Sequence, residues 1–148
     1  MREGKKVQVV IMFQNLSQSL SPRVLLLQTN ERRGGFWQNV TGSLEGEESF
    51  SQAAKRELGE ETGFTKAQMF PLDLSLDFYH KGRKTFYTEQ CFLAVLKAPS
   101  NPQIDPEEHQ GFRWIPISQM TPAHYLYENN FKAFEKATDL LQTLPLDL

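Results

Sequence analysis

Residues 42–64 read GSLEGEESFSQAAKRELGEETGF, and the placement of their six carboxylates (Glu45, Glu47, Glu48, Glu57, Glu60 and Glu61) decides what the chain is built around. Ser49 and Gln52 have capping-box spacing, so a helix is predicted to begin there. Gly63 is placed to end it after Thr62. At about 100° per residue, Phe50, Ala53, Ala54 and Leu58 make one apolar stripe. With Glu57 set at zero, the stripe centres near ~35°, Glu61 falls at about 40° and Glu60 at about −60°. Glu57 and Glu61 therefore share the line of the stripe. Glu57 also neighbours Glu60 and Glu61, with Cβ atoms roughly 5–6 Å apart. At an effective dielectric near ~20, each like-charge pair costs on the order of 3 kcal/mol before screening. Arg56 projects about 100° from Glu57 and is expected to leave that repulsion uncancelled. Charged runs of this kind ordinarily make a solvated surface. Alignment with the apolar stripe argues instead for a hard divalent cation such as Mg²⁺, which takes carboxylate, phosphate and water oxygens.

Around this stretch the pattern is a mixed sheet. Residues 7–13 (VQVVIMF) and 23–28 (RVLLLQ) are nearly continuous apolar runs, as expected of strands covered on both faces. The Ser-rich residues 14–22 between them read as a loop. Residues 29–35 (TNERRGG) form a basic loop in which Arg32 and Arg33 are candidates to meet a phosphate. Residues 36–41 (FWQNVT) are a short strand delivering the chain to Gly42. Leu72, Leu74, Leu76 and Phe78 alternate with polar partners, a half-buried strand. Lys81-Gly82 turns it into a long return strand over 85–96, with Lys81 and Arg83 in the turn. Residues 97–106 are a Pro-rich loop, and FRWI (112–115) is a last strand. From Asn129, Phe131, Phe134, Ala137 and Leu141 give an amphipathic helix. Helices before and after a hairpin sheet make an α/β layered domain, expected to take in residues 1–148 as one unit. Trp37, Phe36, Tyr79 and Trp114 are candidates to stack a base, although aromatic strand residues ordinarily serve the core.

Composition narrows the function. Sixteen basic residues against eighteen acidic ones give a net charge of −2. No basic field advertises nucleic-acid binding. The lone Cys91 suits a reducing compartment and lies in an apolar strand, where a buried thiol is expected. The N-terminal run lacks the cleavage site of a secretory signal, and no segment approaches a membrane span. A cytoplasmic protein is expected.

Gly42, five residues, Glu48, seven residues, Arg56-Glu57-Leu58, one residue, Glu60-Glu61, one residue, Gly63-Phe64 resembles the Nudix box at every defined position. The resemblance implies the Nudix α/β/α sandwich, with a mixed sheet, the Nudix loop-helix and a C-terminal helix. It implies a MutT-like hydrolase that uses Mg²⁺, with Mn²⁺ as substitute, to cleave diphosphates linked to a nucleoside. Carried over residue by residue, Glu57 and Glu61 are metal ligands, and Glu60 is a further ligand or the base. Arg56 orients a glutamate, Glu48 is the upstream acid, and Gly42 admits close backbone approach. FWQNVTGSLEGEES, EEHQGFRWI and ENNFKAFEKA are further similar to the dihydroneopterin triphosphate pyrophosphatase branch. That similarity makes Glu108 a metal ligand and Thr41 and Asn129 substrate contacts. It also implies a basic N-terminal contact, for which Arg2, Lys5 and Lys6 are candidates. Where the branch carries a substrate arginine after the second strand, this chain has Thr29. The expected reaction converts a nucleoside or pteridine triphosphate to the monophosphate and pyrophosphate. Alternatives are hydrolysis of damaged (deoxy)nucleotides, of dinucleoside polyphosphates or of RNA 5′ ends, and a non-catalytic nucleotide-binding module.

Overall fold

Strand β1 spans Arg2–Phe13 and β2 spans Arg23–Thr29. The short strands β3 (Trp37–Gln38) and β4 (Val40–Ser43) lead into helix α1, Phe50–Thr62. The hairpin β5 (Gln68–His80) and β6 (Thr85–Leu96) follows, then β7 (His109–Pro116) and helix α2 (Glu128–Leu141). In this computed structural model, residues 2–14, 21–98 and 100–144 are described. Residues 15–20 of the predicted Ser-rich loop, and Pro99 of the Pro-rich one, lie outside the described residues.

The strands form one mixed sheet in the order β3-β2-β1-β6-β5. β4 pairs with the middle of β1, and β7 pairs with β2. β1 runs parallel to β6 and antiparallel to β2 and β4. Its apolar run is continuous because both faces are covered, as the two-sided pattern requires. Val7, Val9 and Ile11 pack with Ala53, Ala54 and Leu58 of α1. Val10 and Met12 pack on the opposite face with Ala133, Phe134 and Ala137 of α2. The helices thus sandwich the sheet, the α/β/α arrangement expected from the sequence.

The ends of α1 follow local chemistry. Ser49 Oγ accepts from Gln52 N at 3.1 Å, and Ser49 N donates to Gln52 Oε1 at 2.8 Å. Gly63 adopts φ 78, and its N–H closes on Gly59 O at 2.8 Å. Ser49→Ala is expected to destabilise the fold by about 1 kcal/mol, read as a lower urea midpoint at unchanged slope. An unchanged midpoint would contradict the cap's contribution.

Three elements differ from the sequence reading. The expected strand over 36–41 is two strands, broken at Asn39, whose side chain turns inward to hydrogen-bond. β1 begins at Arg2 because parallel pairing with β6 continues from Phe13 back through the charged residues. β7 begins at His109, three residues before the expected FRWI strand, so that histidine is a fully buried strand residue.

Candidate metal centre and active site

The centre is assembled where α1 passes beneath β4. Gly42 pairs with Val7 across the sheet. A Cβ at position 42 would lie 2.1 Å from Glu57 Cδ and 2.3 Å from its Oε1. Only glycine lets the Glu57 carboxylate rest against this strand. The close approach expected of Gly42 is therefore present, but it is made to a side chain from within a strand.

Arg56 overturns one expectation of the helical projection. Its guanidinium curls back across the face of α1, because a long side chain reaches well beyond its Cβ direction. Nε donates to Glu48 Oε2 at 2.7 Å and Nη2 to Glu48 Oε1 at 2.9 Å. Nη1 donates to Glu57 Oε1 at 2.8 Å and to Glu60 Oε2 at 3.2 Å. Nη2 also bonds Ser43 O at 2.9 Å, tying the loop to the helix. The planar fork suits such multiple bonding. These bonds hold the Glu48 carboxyl below its ordinary range, with the Arg56 bonds first and the Glu45 N–H second. Arg56 thus offsets part of the repulsion that the projection left uncancelled.

Glu61 has no such relief. It is 2% exposed, and its Oε2 has no hydrogen-bond partner among the described residues. Burial raises its carboxyl well above the usual range, and the facing Glu57 carboxyl and then Glu108 add to the effect. The basic group within ion-pair distance of it among the described residues is His109, whose Nε2 lies 3.7 Å from Glu61 Oε1. That imidazole supplies no positive charge: burial and then Arg33 push it down to about 4. Gln38 Nε2 contacts His109 Nε2 at 3.0 Å, while His109 Nδ1 is buried without a partner among the described residues. One ligand atom each from Glu61, Glu108 and His109 lie within 4.8 Å of one another. An unbonded, desolvated carboxylate oxygen beside two more carboxylates fits a hard divalent cation.

The remaining predicted residues lie on α1, at the start of β7, on β4 and on α2. Glu60 is exposed, and its ion pair among the described residues is with Arg56. Glu108 is exposed, on a segment fastened to the 30–35 loop by Asn30 N to Glu108 O at 3.0 Å. Thr41 lies beside Gln8, on the sheet face opposite α1. Asn129 is half-buried in the first turn of α2, and its neighbour Asn130 points inward. There Asn130 Nδ2 donates to Gln8 Oε1 at 3.0 Å, within a buried network joining Asn39, Tyr125 and Glu89. Thr29 is fully buried, and its Oγ1 accepts from Phe36 N at 3.0 Å, closing the basic loop. Sequence reasoning gave His109 and Gln38 no role of their own. The one available signal was that both adjoin apolar strand runs, where a polar side chain is either paired or functional.

Of the aromatic candidates, Trp37 and Trp114 pack against the two cores, and Phe36 packs edge-on against Tyr127. Tyr79 is exposed beside Phe86 on the hairpin. Cys91 is buried as expected, and burial pushes its thiol up to about 12. No described helix is long and apolar enough to cross a membrane.

The profile of the NUDIX domain family matches residues 4–137. An octanoyltransferase of Myxococcus xanthus is 39% identical over 100 residues, covering 64% of this chain and 27% of that protein. The chain thus spans about a quarter of that relative's length. A C. elegans Ap4A hydrolase binary complex superposes with TM-score 0.76 at 24% identity, over 95% of this chain and 99% of that one. The E. coli dihydroneopterin triphosphate pyrophosphohydrolase superposes with TM-score 0.75 at 25% identity, over 92% and 97%.

Proposed function

The chain belongs to the Nudix family of hydrolases acting on phosphoric anhydride bonds, and from that premise we propose that it converts a nucleoside or pteridine triphosphate to the monophosphate and pyrophosphate. Residues 1–148 are read as one catalytic domain working in the cytoplasm. The observation that carries the proposal is Glu61 Oε2, buried and unbonded beside Glu57 and Glu108. Glu57, Glu60, Glu61 and Glu108 would hold the cation, Mg²⁺ or Mn²⁺ in its place. When bound, the cation neutralises phosphate oxygens and makes a water nucleophilic at neutral pH.

The chain's own residues do the rest. Arg56 holds Glu57 through the Oε1 bond, and the Glu57 carboxyl lies close enough to Glu61 to push its carboxyl up. Gly42 keeps that carboxylate against the sheet. Glu60, exposed on α1, is a further ligand or the base that takes a proton from the attacking water. Thr41 and Asn129 would line the path of the substrate's organic moiety on the α2 side of the sheet. Similarity to the pteridine pyrophosphohydrolase supports a triphosphate; similarity to the Ap4A hydrolase supports testing dinucleoside polyphosphates beside it.

The test is turnover with Mg²⁺ of nucleoside triphosphates, dihydroneopterin triphosphate and diadenosine tetraphosphate, with phosphorus products identified. Pyrophosphate and a monophosphate are expected from the triphosphates, and a chelator should abolish their release. Orthophosphate as the sole phosphorus leaving group would contradict the cleavage position. Turnover of the tetraphosphate alone would move the substrate to the dinucleoside class.

A further inference from the structure

The acid cluster draws on two kinds of backbone. Glu57 and Glu61 stand on α1, whose own ladder of hydrogen bonds fixes them. Glu108 precedes β7 and is exposed, so the backbone bonds that hold it must come from elsewhere. They come from the turn over residues 30–35. A bulge carries the β2–β7 register from Gln28 opposite Gly111 to Thr29 opposite His109, passing over Gln110. Bulges beside active sites re-aim side chains. Gln110 Nε2 donates to Thr29 O at 3.0 Å and to Glu31 Oε1 at 3.3 Å, fastening the bulge to the turn. Past the Thr29–His109 pair, Asn30 N donates to Glu108 O at 3.0 Å.

The Asn30 side chain works in two directions. Its Oδ1 accepts from Arg33 N at 3.0 Å, capping the single 3₁₀ turn Glu31–Arg33. Its Nδ2 donates to Glu107 O at 2.6 Å. Arg32 Nη2 donates to the same carbonyl at 3.1 Å, and Arg33 Nη1 reaches Glu108 O at 3.5 Å. Gly34 at φ 117 and Gly35 at φ 67 let the chain close, so that Gly35 N returns to Asn30 O at 3.0 Å. Arginines beside glutamates ordinarily bond the carboxylates, where the bonds are strongest. Here they bond carbonyls. Among the described residues the Glu107 and Glu108 carboxylates have no ion pair, whereas Arg56 takes up Glu48, Glu57 and Glu60. Glu108 is thus gripped through its backbone, and its carboxylate is left uncommitted within 4.8 Å of the ligand atoms of Glu61 and His109.

We propose that Asn30 and Arg32 are positioning residues for the metal, a brace that sets the Glu108 carboxylate beside Glu61 by gripping the carbonyls of Glu107 and Glu108. The brace rests on the cation reading above. A ligand in place only part of the time lowers the apparent affinity by that fraction, and the brace removes this loss before the cation arrives. The charge of Arg32 acts in the opposite sense. A guanidinium near a divalent cation repels it, so through its field alone Arg32 would weaken binding. The two roles therefore predict opposite effects of removing it.

The test measures Mn²⁺ binding without substrate in wild type, Asn30→Ser and Arg32→Ala. Serine keeps a cap acceptor for Arg33 N and removes the Nδ2 donor. Losing a bond that orients a ligand typically costs roughly 10- to 100-fold in metal affinity, so both variants should bind about tenfold more weakly. In turnover, the Mg²⁺ concentration at half-maximal rate should rise by the same factor, with kcat at saturating Mg²⁺ within about twofold of wild type. Wild-type affinity in Asn30→Ser, or unchanged or tighter binding in Arg32→Ala, overturns the brace. Hydrogen exchange of the Glu108 and His109 amides in metal-free protein separates this proposal from the cation reading. Faster exchange in Asn30→Ser, with α1 unchanged, supports the brace even where wild type binds no Mn²⁺; that absence contradicts the cation reading instead. Unchanged exchange overturns the brace even if hydrolysis is normal.

Discussion

Glu61→Gln should abolish most catalysis while making the metal-free protein more stable. The substitution keeps the shape of the side chain and removes a charge that lies 2% exposed with one oxygen unbonded. In the absence of a cation that charge is opposed by desolvation and by Glu57 and Glu108. Burying an unpaired charge is strongly unfavourable, although proton uptake by Glu61 limits the penalty to a fraction of its unscreened size. A gain of about 1 kcal/mol is expected in chelator, or about 3 °C in Tm for a domain of this size. The wild type should gain stability from Mg²⁺ by mass action, and the variant should not. Losing one carboxylate from the centre should lower kcat about 10³-fold. A site kept for function against stability has this signature. A variant less stable than wild type in chelator, with its Mg²⁺ response intact, would show Glu61 to be a structural residue only.

Gly42→Ala is the second large effect. The added methyl would meet Glu57 Cδ at 2.1 Å, so the carboxylate must swing from the strand and from its bond to Arg56 Nη1. A displacement on the order of 1 Å in a positioned group lowers rates about 10²-fold. The backbone at 42 has ordinary negative φ, so no left-handed conformation is lost and the fold should survive. Circular dichroism should match wild type while kcat/KM falls about 10²-fold or more. Near-normal activity would mean that Glu57 works from another position.

The sequence revealed local features and failed where distant segments meet. Both ends of α1 were legible because Ser49, Gln52 and Gly63 act within one turn. The alignment of Glu61 with the apolar stripe was legible for the same reason, and it correctly indicated burial. Arg56 was misjudged because a helical projection places Cβ directions, and a guanidinium reaches well past its Cβ. His109 was passed over because its burial depends on β7 pairing with β2, which brings it opposite Thr29. The meaning of Thr29 was similarly hidden: its hydroxyl bonds Phe36 N seven residues on, a contact set by loop geometry. Arg83 was placed only in a turn, because its bond to the Tyr87 hydroxyl depends on how the hairpin folds back.

The direct measurement of the central claim is Mn²⁺ uptake followed by electron paramagnetic resonance, in wild type and Glu61→Gln, without substrate. The account predicts that wild type quenches the free-ion signal with saturable binding and that Mg²⁺ competes for it. Glu61→Gln should bind at least tenfold more weakly. Wild type that leaves the free-ion signal unchanged, or a variant that binds as tightly as wild type, would contradict a cation held by Glu57, Glu61 and Glu108.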